Sequence, residues 1–107
     1  MARLILAPEI REDFDRIFDF LFKHTPEHAA ARRIDDIVCA LDILQSSPLI
    51  GRPAESPHGM RELVISTGAH GYLALYRFVP ELDAVFVTAV RSQRELRYRR
   101  SDDDRST

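Results

Sequence analysis

Residues 61–91 read RELVISTGAHGYLALYRFVPELDAVFVTAVR. Three runs rich in β-branched and aromatic side chains, RELVIST, GYLALYRFV and DAVFVTAVR, are separated by GAH and by PEL. Gaps of that length join neighbouring antiparallel strands, so the stretch predicts a three-stranded meander. Strand alternation in the middle run puts Tyr72, Ala74, Tyr76 and Phe78 on one face and Leu73, Leu75, Arg77 and Val79 on the other. Both faces are largely apolar, with Arg77 the charged exception, and an apolar face needs a cover.

The first half of the chain supplies one. In PEIREDFDRIFDFLFKH, residues 8–24, Ile10, Phe14, Ile17 and Leu21 recur at helical spacing. Phe18 and Phe22 widen that stripe, and Glu12, Asp15, Arg16 and Asp19 take the other side. HTPEH then reads as a stop and restart, with Thr25 as N-cap and Pro26 in the first helical position. A second stripe follows at Ala30, Ile34, Ile37, Leu41 and Leu44, ending where Pro48 disfavours helix at Ser47. The two helices suit an antiparallel hairpin. The opening RLIL, ahead of Pro8, reads as a short strand whose place in the sheet the pattern leaves open. The expected architecture is α+β: an N-terminal strand and a two-helix antiparallel hairpin packed on a small antiparallel sheet.

At 107 residues the chain has room for one domain, expected over 1–98, followed by a charged, frayed tail over 99–107. Its 45% apolar and 30% charged content is that of a soluble globular protein. The short run RLIL is too small for a signal peptide or a membrane span, so a cytoplasmic location and no membrane contact are expected. The one cysteine, Cys39, falls within a helical pattern and is read as a small core or interface residue. A net charge of −2 argues against direct, specific nucleic-acid binding, which draws its affinity from clustered cations.

The sequence has no phosphate-cradling glycine loop, no paired cysteines and no His-x-x-x-His pair within one helix, HTPEH being a helix break, so neither a cofactor nor a metal is expected. His24, His28, His58 and His70 are scattered over helix ends and loops and are read as solvated polar residues. Arginine is the conspicuous residue on and beside the sheet: Arg52, Arg61, Arg77, Arg91, Arg94 and Arg97. If RELVIST and GYLALYRFV form a tight hairpin, Arg61 and Arg77 come opposite each other, and like charges there call for an anionic partner between them. A register different by one residue moves Arg61 to the other face and weakens that argument.

The phrases SSPLIGRP (46–53), GMRELVIS (59–66), GYLALYRF (71–78) and AVRSQRELRY (89–98), in this order and spacing, resemble the ParE branch of the RelE/ParE toxins of type II toxin–antitoxin modules, also called plasmid stabilization proteins. The likeness spans nearly the whole chain. It implies a bacterial growth-inhibiting toxin held in a hetero-oligomer by a cognate antitoxin. Two activities compete within the superfamily: ParE-like inhibition of DNA gyrase and RelE-like cleavage of messenger RNA on the ribosome. RelE-type enzymes carry an arginine directly after the Gly-Tyr of the middle strand, where this chain has Leu73, which cannot donate to a phosphate oxyanion. The resemblance therefore leans to a gyrase inhibitor that is not an enzyme. An endoribonuclease and an inactive interaction module of the same fold are the alternatives.

On that resemblance Arg61, Arg77, Arg91, Gln93 and Arg94 are the expected target-binding residues, and Phe18, Phe20, Phe22 and Arg52 the expected antitoxin-binding ones. No catalytic residue is assigned; Arg77 and Tyr98 are the weak candidates. Ser92 replaces the histidine that many relatives carry between Arg91 and Gln93. As exposed arginines, Arg91 and Arg94 are expected to add little to stability.

Overall fold

The structure is a computed structural model that describes residues 1–55, 59–65 and 71–92. Strand β1 (Arg3–Leu6) leads into helix α1 (Ile10–His24), which is followed by α2 (Glu27–Ser46). Strands β2 (Arg52–Pro53), β3 (Arg61–Ile65), β4 (Tyr72–Val79) and β5 (Ala84–Ser92) complete the chain's described elements. They form one five-stranded sheet in the order β1-β5-β4-β3-β2.

The meander is present as β3, β4 and β5, all antiparallel. The whole sheet is mixed, however, because β1 joins the edge of β5 in parallel, with Arg3 beside Ala84 and Leu6 beside Val87. The helical hairpin carries the chain from β1 across one face, and β1 takes the side of β5 that β4 leaves unpaired. The loop after α2 also contributes: Arg52 pairs with Glu62 and Pro53 with Arg61, a two-residue edge strand that proline helps to keep short. A turn of 3₁₀ helix over Pro80–Leu82 reverses the chain between β4 and β5 and ends at Asp83 in the left-handed region, φ 47°.

Both helices lie on one face. Ile10, Ile17 and Leu21 of α1 and Ala30, Ile37, Leu41 and Leu44 of α2 are buried against Tyr72, Ala74, Tyr76, Val85, Val87 and Val90. Each large apolar side chain so buried contributes about 1.5–3 kcal/mol, which makes this layer the main source of stability. Phe14 and Phe18 stack at 5.6 Å on the border of the core. Phe22 does not widen the buried stripe: at 58% exposure it is among the most open large apolar residues of the helices. Its position, one residue past Leu21, turns it about 100° away from the core. Cys39 is likewise exposed, on the outer side of α2, so it is not a core residue. Thr25 closes α1, its N–H donating to Leu21 O at 2.9 Å, and makes no side-chain cap; Pro26 is the residue that precedes α2.

A β-bulge at Thr88 sets which side chains of β5 reach the core. Leu75 faces Ala89 but Tyr76 faces Val87, so Thr88 is the extra residue. Its hydroxyl donates to Leu75 O at 3.2 Å. The extra residue keeps both Val87 and Val90 on the helix side, opposite Tyr76 and Ala74, and moves Arg91 to the far side, opposite Leu73.

Candidate functional site

The register divides the sequence-predicted arginines between the two faces. Arg61 stands opposite Tyr76, one residue away from the register that would set it against Arg77. It therefore shares the helix side with Tyr76, and the like-charge argument for an anion between Arg61 and Arg77 falls away. Arg77 points to the other face, exposed, with its guanidinium alongside Gly59.

Arg61 has an internal use. Its Nη1 donates to Gly51 O at 2.7 Å and reaches Leu49 O at 3.5 Å. The Gly51 N–H donates to the Tyr76 hydroxyl at 2.8 Å, so one peptide neighbourhood is held from β3 and β4 together. Burial pushes the Tyr76 phenol above its usual range, while the Gly51 hydrogen bond and the Arg61 charge pull it back. Beside them, Arg52 Nε pairs with Glu62 Oε2 at 3.0 Å. The Gly-Arg, Arg-Glu and Tyr phrases thus fasten the loop after α2 to the sheet. The same fastening leaves Leu49 and Ile50 exposed.

A second cluster lies where β1 ends. Ala7 N–H donates to Val87 O, the last rung between β1 and β5. Beyond it, the Val90 N–H would face an unpaired edge; instead it donates to Asp13 Oδ2 at 3.0 Å. The same carboxylate forms an ion pair with Arg91 and, at 3.3 Å, with Arg16. Asp13 is the buried charged residue among the described ones, its side chain 7% exposed. Arg91 is 27% exposed and also donates from Nη1 to Val90 O. Arg91 is thus half-buried and ion-paired, which removes the premise of exposure on which its small contribution to stability was expected. Asp13 was missed in the sequence. The signal was there: it stands three residues after Ile10 and four before Ile17, inside the buried stripe.

The face of the sheet away from the helices carries the arrangement a partner would meet. Across it the register aligns Ile5, Phe86 and Arg77; then Ala89, Leu75, Glu62 and Arg52; then Arg91, Leu73 and Val64. Ile5, Phe86, Leu75 and Leu73 are half-buried and Val64 is exposed, which makes an apolar strip with arginines at its margins. Of the expected antitoxin-binding residues, Phe20 and Phe22 are exposed on α1, Phe20 packing on His24 at 4.6 Å, whereas Phe18 is tied to Phe14 and the core. Gln93, Arg94, Arg97 and Tyr98, His58 and His70, and the tail 99–107 lie outside the described residues. No group of three His, Cys, Asp or Glu gathers among the described residues.

Known proteins share this arrangement. The family model described as the ParE toxin of the type II toxin–antitoxin system parDE matches residues 4–97. Toxin RelE3 of Caulobacter vibrioides is 36% identical over 97 residues, 91% of this chain and 100% of the relative. Among solved structures, the chromosomal ParDE system from P. aeruginosa superimposes with a TM-score of 0.71 at 23% identity, covering 86% of this chain and 96% of that one. The intact E. coli RelBE toxin–antitoxin complex gives 0.54 at 14% identity, over 86% and 96%. The strand-led helical hairpin on a small sheet is therefore the toxin fold of both systems, and this chain belongs to the ParE toxin family of type II toxin–antitoxin systems.

Proposed function

We propose that this toxin arrests growth by binding DNA gyrase through its open sheet face, without cutting nucleic acid, and that a cognate antitoxin neutralises it. The carrying observation is the apolar strip Phe86, Leu75, Leu73 and Val64 bordered by Arg77, Arg91 and Arg52. An apolar centre with an arginine rim suits a protein surface, where the centre is desolvated and guanidinium groups grip carboxylates. A phosphate backbone offers that centre nothing to bury against. Arg77 belongs to this surface directly and Arg91 borders it at the β5 edge, where its guanidinium meets Asp13 of α1; Gln93 and Arg94, also proposed for the target, lie outside the described residues. Arg61 supports it from the other face by holding the loop that carries Arg52.

The antitoxin reading rests on α1, where Phe20 and Phe22 present large apolar side chains to solvent on the two flanks of the buried stripe. Phe18, one turn before Phe22, backs that flank from the border of the core, and the toxin would be stored as a hetero-oligomer in the cytoplasm. In the described residues no helix is long and apolar enough to cross a membrane.

The test is induced expression of the toxin alone, followed by supercoiling and cleavage assays with gyrase and by mapping of transcripts. Broken DNA or blocked supercoiling with intact transcripts is the expected result. Transcripts cut while DNA stays intact would replace this reading with a ribosome-dependent endoribonuclease. Normal growth would leave an inactive interaction module.

A further inference from the structure

We propose that Asp13 is a positioning residue: it holds one side of the Arg91 guanidinium so that the Nε–Nη2 edge is presented to a carboxylate on the target protein. The proposal rests on the open face being the docking surface and names the group that surface grips.

Arg91 meets the Asp13 carboxylate through Nη1, which also donates to Val90 O. A guanidinium has two forks for bidentate capture of a carboxylate, and the one formed by Nε and Nη2 makes no hydrogen bond to a described residue. The side chain keeps 27% of its surface exposed, enough for an outside group to reach it. Asp13 itself cannot swing, because its second oxygen is held by the Val90 N–H at 3.0 Å and the residue is embedded in α1 between Ile10 and Ile17. A long cationic side chain ordinarily loses rotamer freedom when it binds; here the buried carboxylate has already removed much of that freedom. By register Arg91 stands beside Leu73, so a partner carboxylate at this edge adjoins the apolar strip.

Two substitutions separate positioning from simple stabilisation. Arg91→Lys keeps a cation for Asp13 but has no second fork. Asp13→Asn keeps an oxygen for the Val90 N–H but lacks the charge that holds the guanidinium. Full-length wild type, both variants and the double variant are compared for the inducer level that arrests growth, for inhibition of purified gyrase, and for thermal melting. Arg91→Lys is expected to melt within about 4 °C of wild type and yet to lose potency by about tenfold or more, the worth of one charge-assisted hydrogen bond. Asp13→Asn is expected to lose a similar factor, and the double variant no more than Arg91→Lys alone, because both act on one contact. Full potency of Arg91→Lys, or losses that multiply in the double variant, would overturn the proposal, as would a wild type that arrests nothing. If the growth pattern holds while wild type leaves gyrase untouched, the positioning role stands and the gyrase reading fails.

Discussion

Gly51 and Tyr76 approach so closely that no side chain fits between them: a Cβ on Gly51 would lie 2.7 Å from both Tyr76 Cε1 and the hydroxyl oxygen, and 2.7 Å from the Glu62 carbonyl. Two of these atoms belong to a ring with no exposed surface, and the third is backbone, so neither can yield cheaply. Gly51→Ala is expected to cost about 1–3 kcal/mol through overpacking. Urea denaturation, monitored by circular dichroism, measures it. A cost below the error of the extrapolation would mean that the loop after α2 is not fastened as described.

The same pair gives a dependence on pH. The Tyr76 phenol is raised by burial from its ordinary value of 10.0, so the folded state retains its proton where the unfolded chain has lost it. Its contribution is fully present below the unfolded value and is lost as the pH rises from there through the folded one. Stability of wild type should therefore fall faster than that of Tyr76→Phe above about pH 10. At neutral pH the Phe variant should be the weaker by about 1–2 kcal/mol, because the buried Gly51 N–H loses its acceptor. Parallel curves at high pH would show that Tyr76 ionises without opening the fold.

Arg91→Ala leaves the Asp13 carboxylate buried with Arg16 and the Val90 N–H as its remaining described partners. Removing one member of a half-buried ion pair exposes the other to an unfavourable environment, so a loss of about 1–3 kcal/mol is expected. Thermal melting checks it, and a melt identical to wild type would place Arg91 back among the solvated arginines. Arg77→Glu tests the proposed surface instead: the side chain is exposed on the open face, so its reversal should abolish growth arrest by the induced toxin.

The sequence carried the helical stripes and the meander because burial leaves a periodic trace in residue type. Ile17, Leu21, Ile37 and Leu44 are buried as spacing requires. What it did not carry depends on single-residue offsets. The bulge at Thr88 has no composition of its own, yet it decides that Val90 faces the helices and Arg91 does not. The placement of Arg61 against Tyr76 turned on the same kind of offset, and it changed that arginine from half of a repulsive pair into a donor to the loop carbonyls. β1 was visible as a strand, but three apolar residues after an arginine do not say which edge they join. Asp13 shows a different limit: an acid in a buried stripe signals a partner, while the partner itself, seventy-seven residues away at Val90, is a product of the fold.

Phe22 offers the cleanest separation of partner binding from folding. It is 58% exposed on α1, and Phe20, on the opposite flank of the buried stripe, is 42% exposed, so burial accounts for neither phenylalanine. A protein that stores its toxin under an antitoxin has a use for them, since exposed aromatics are favoured anchors at protein interfaces. Phe22→Ser should change stability by less than about 0.5 kcal/mol, as surface substitutions generally do. It should weaken antitoxin binding about tenfold or more while growth arrest by the free toxin persists. Calorimetric titration with the cognate antitoxin and the growth assay give the two readings. Wild-type affinity in Phe22→Ser and in Phe20→Ser would move the antitoxin off both exposed flanks of α1. The next surface to test would then be Leu49 and Ile50, which the Gly51–Tyr76 contact holds out toward solvent.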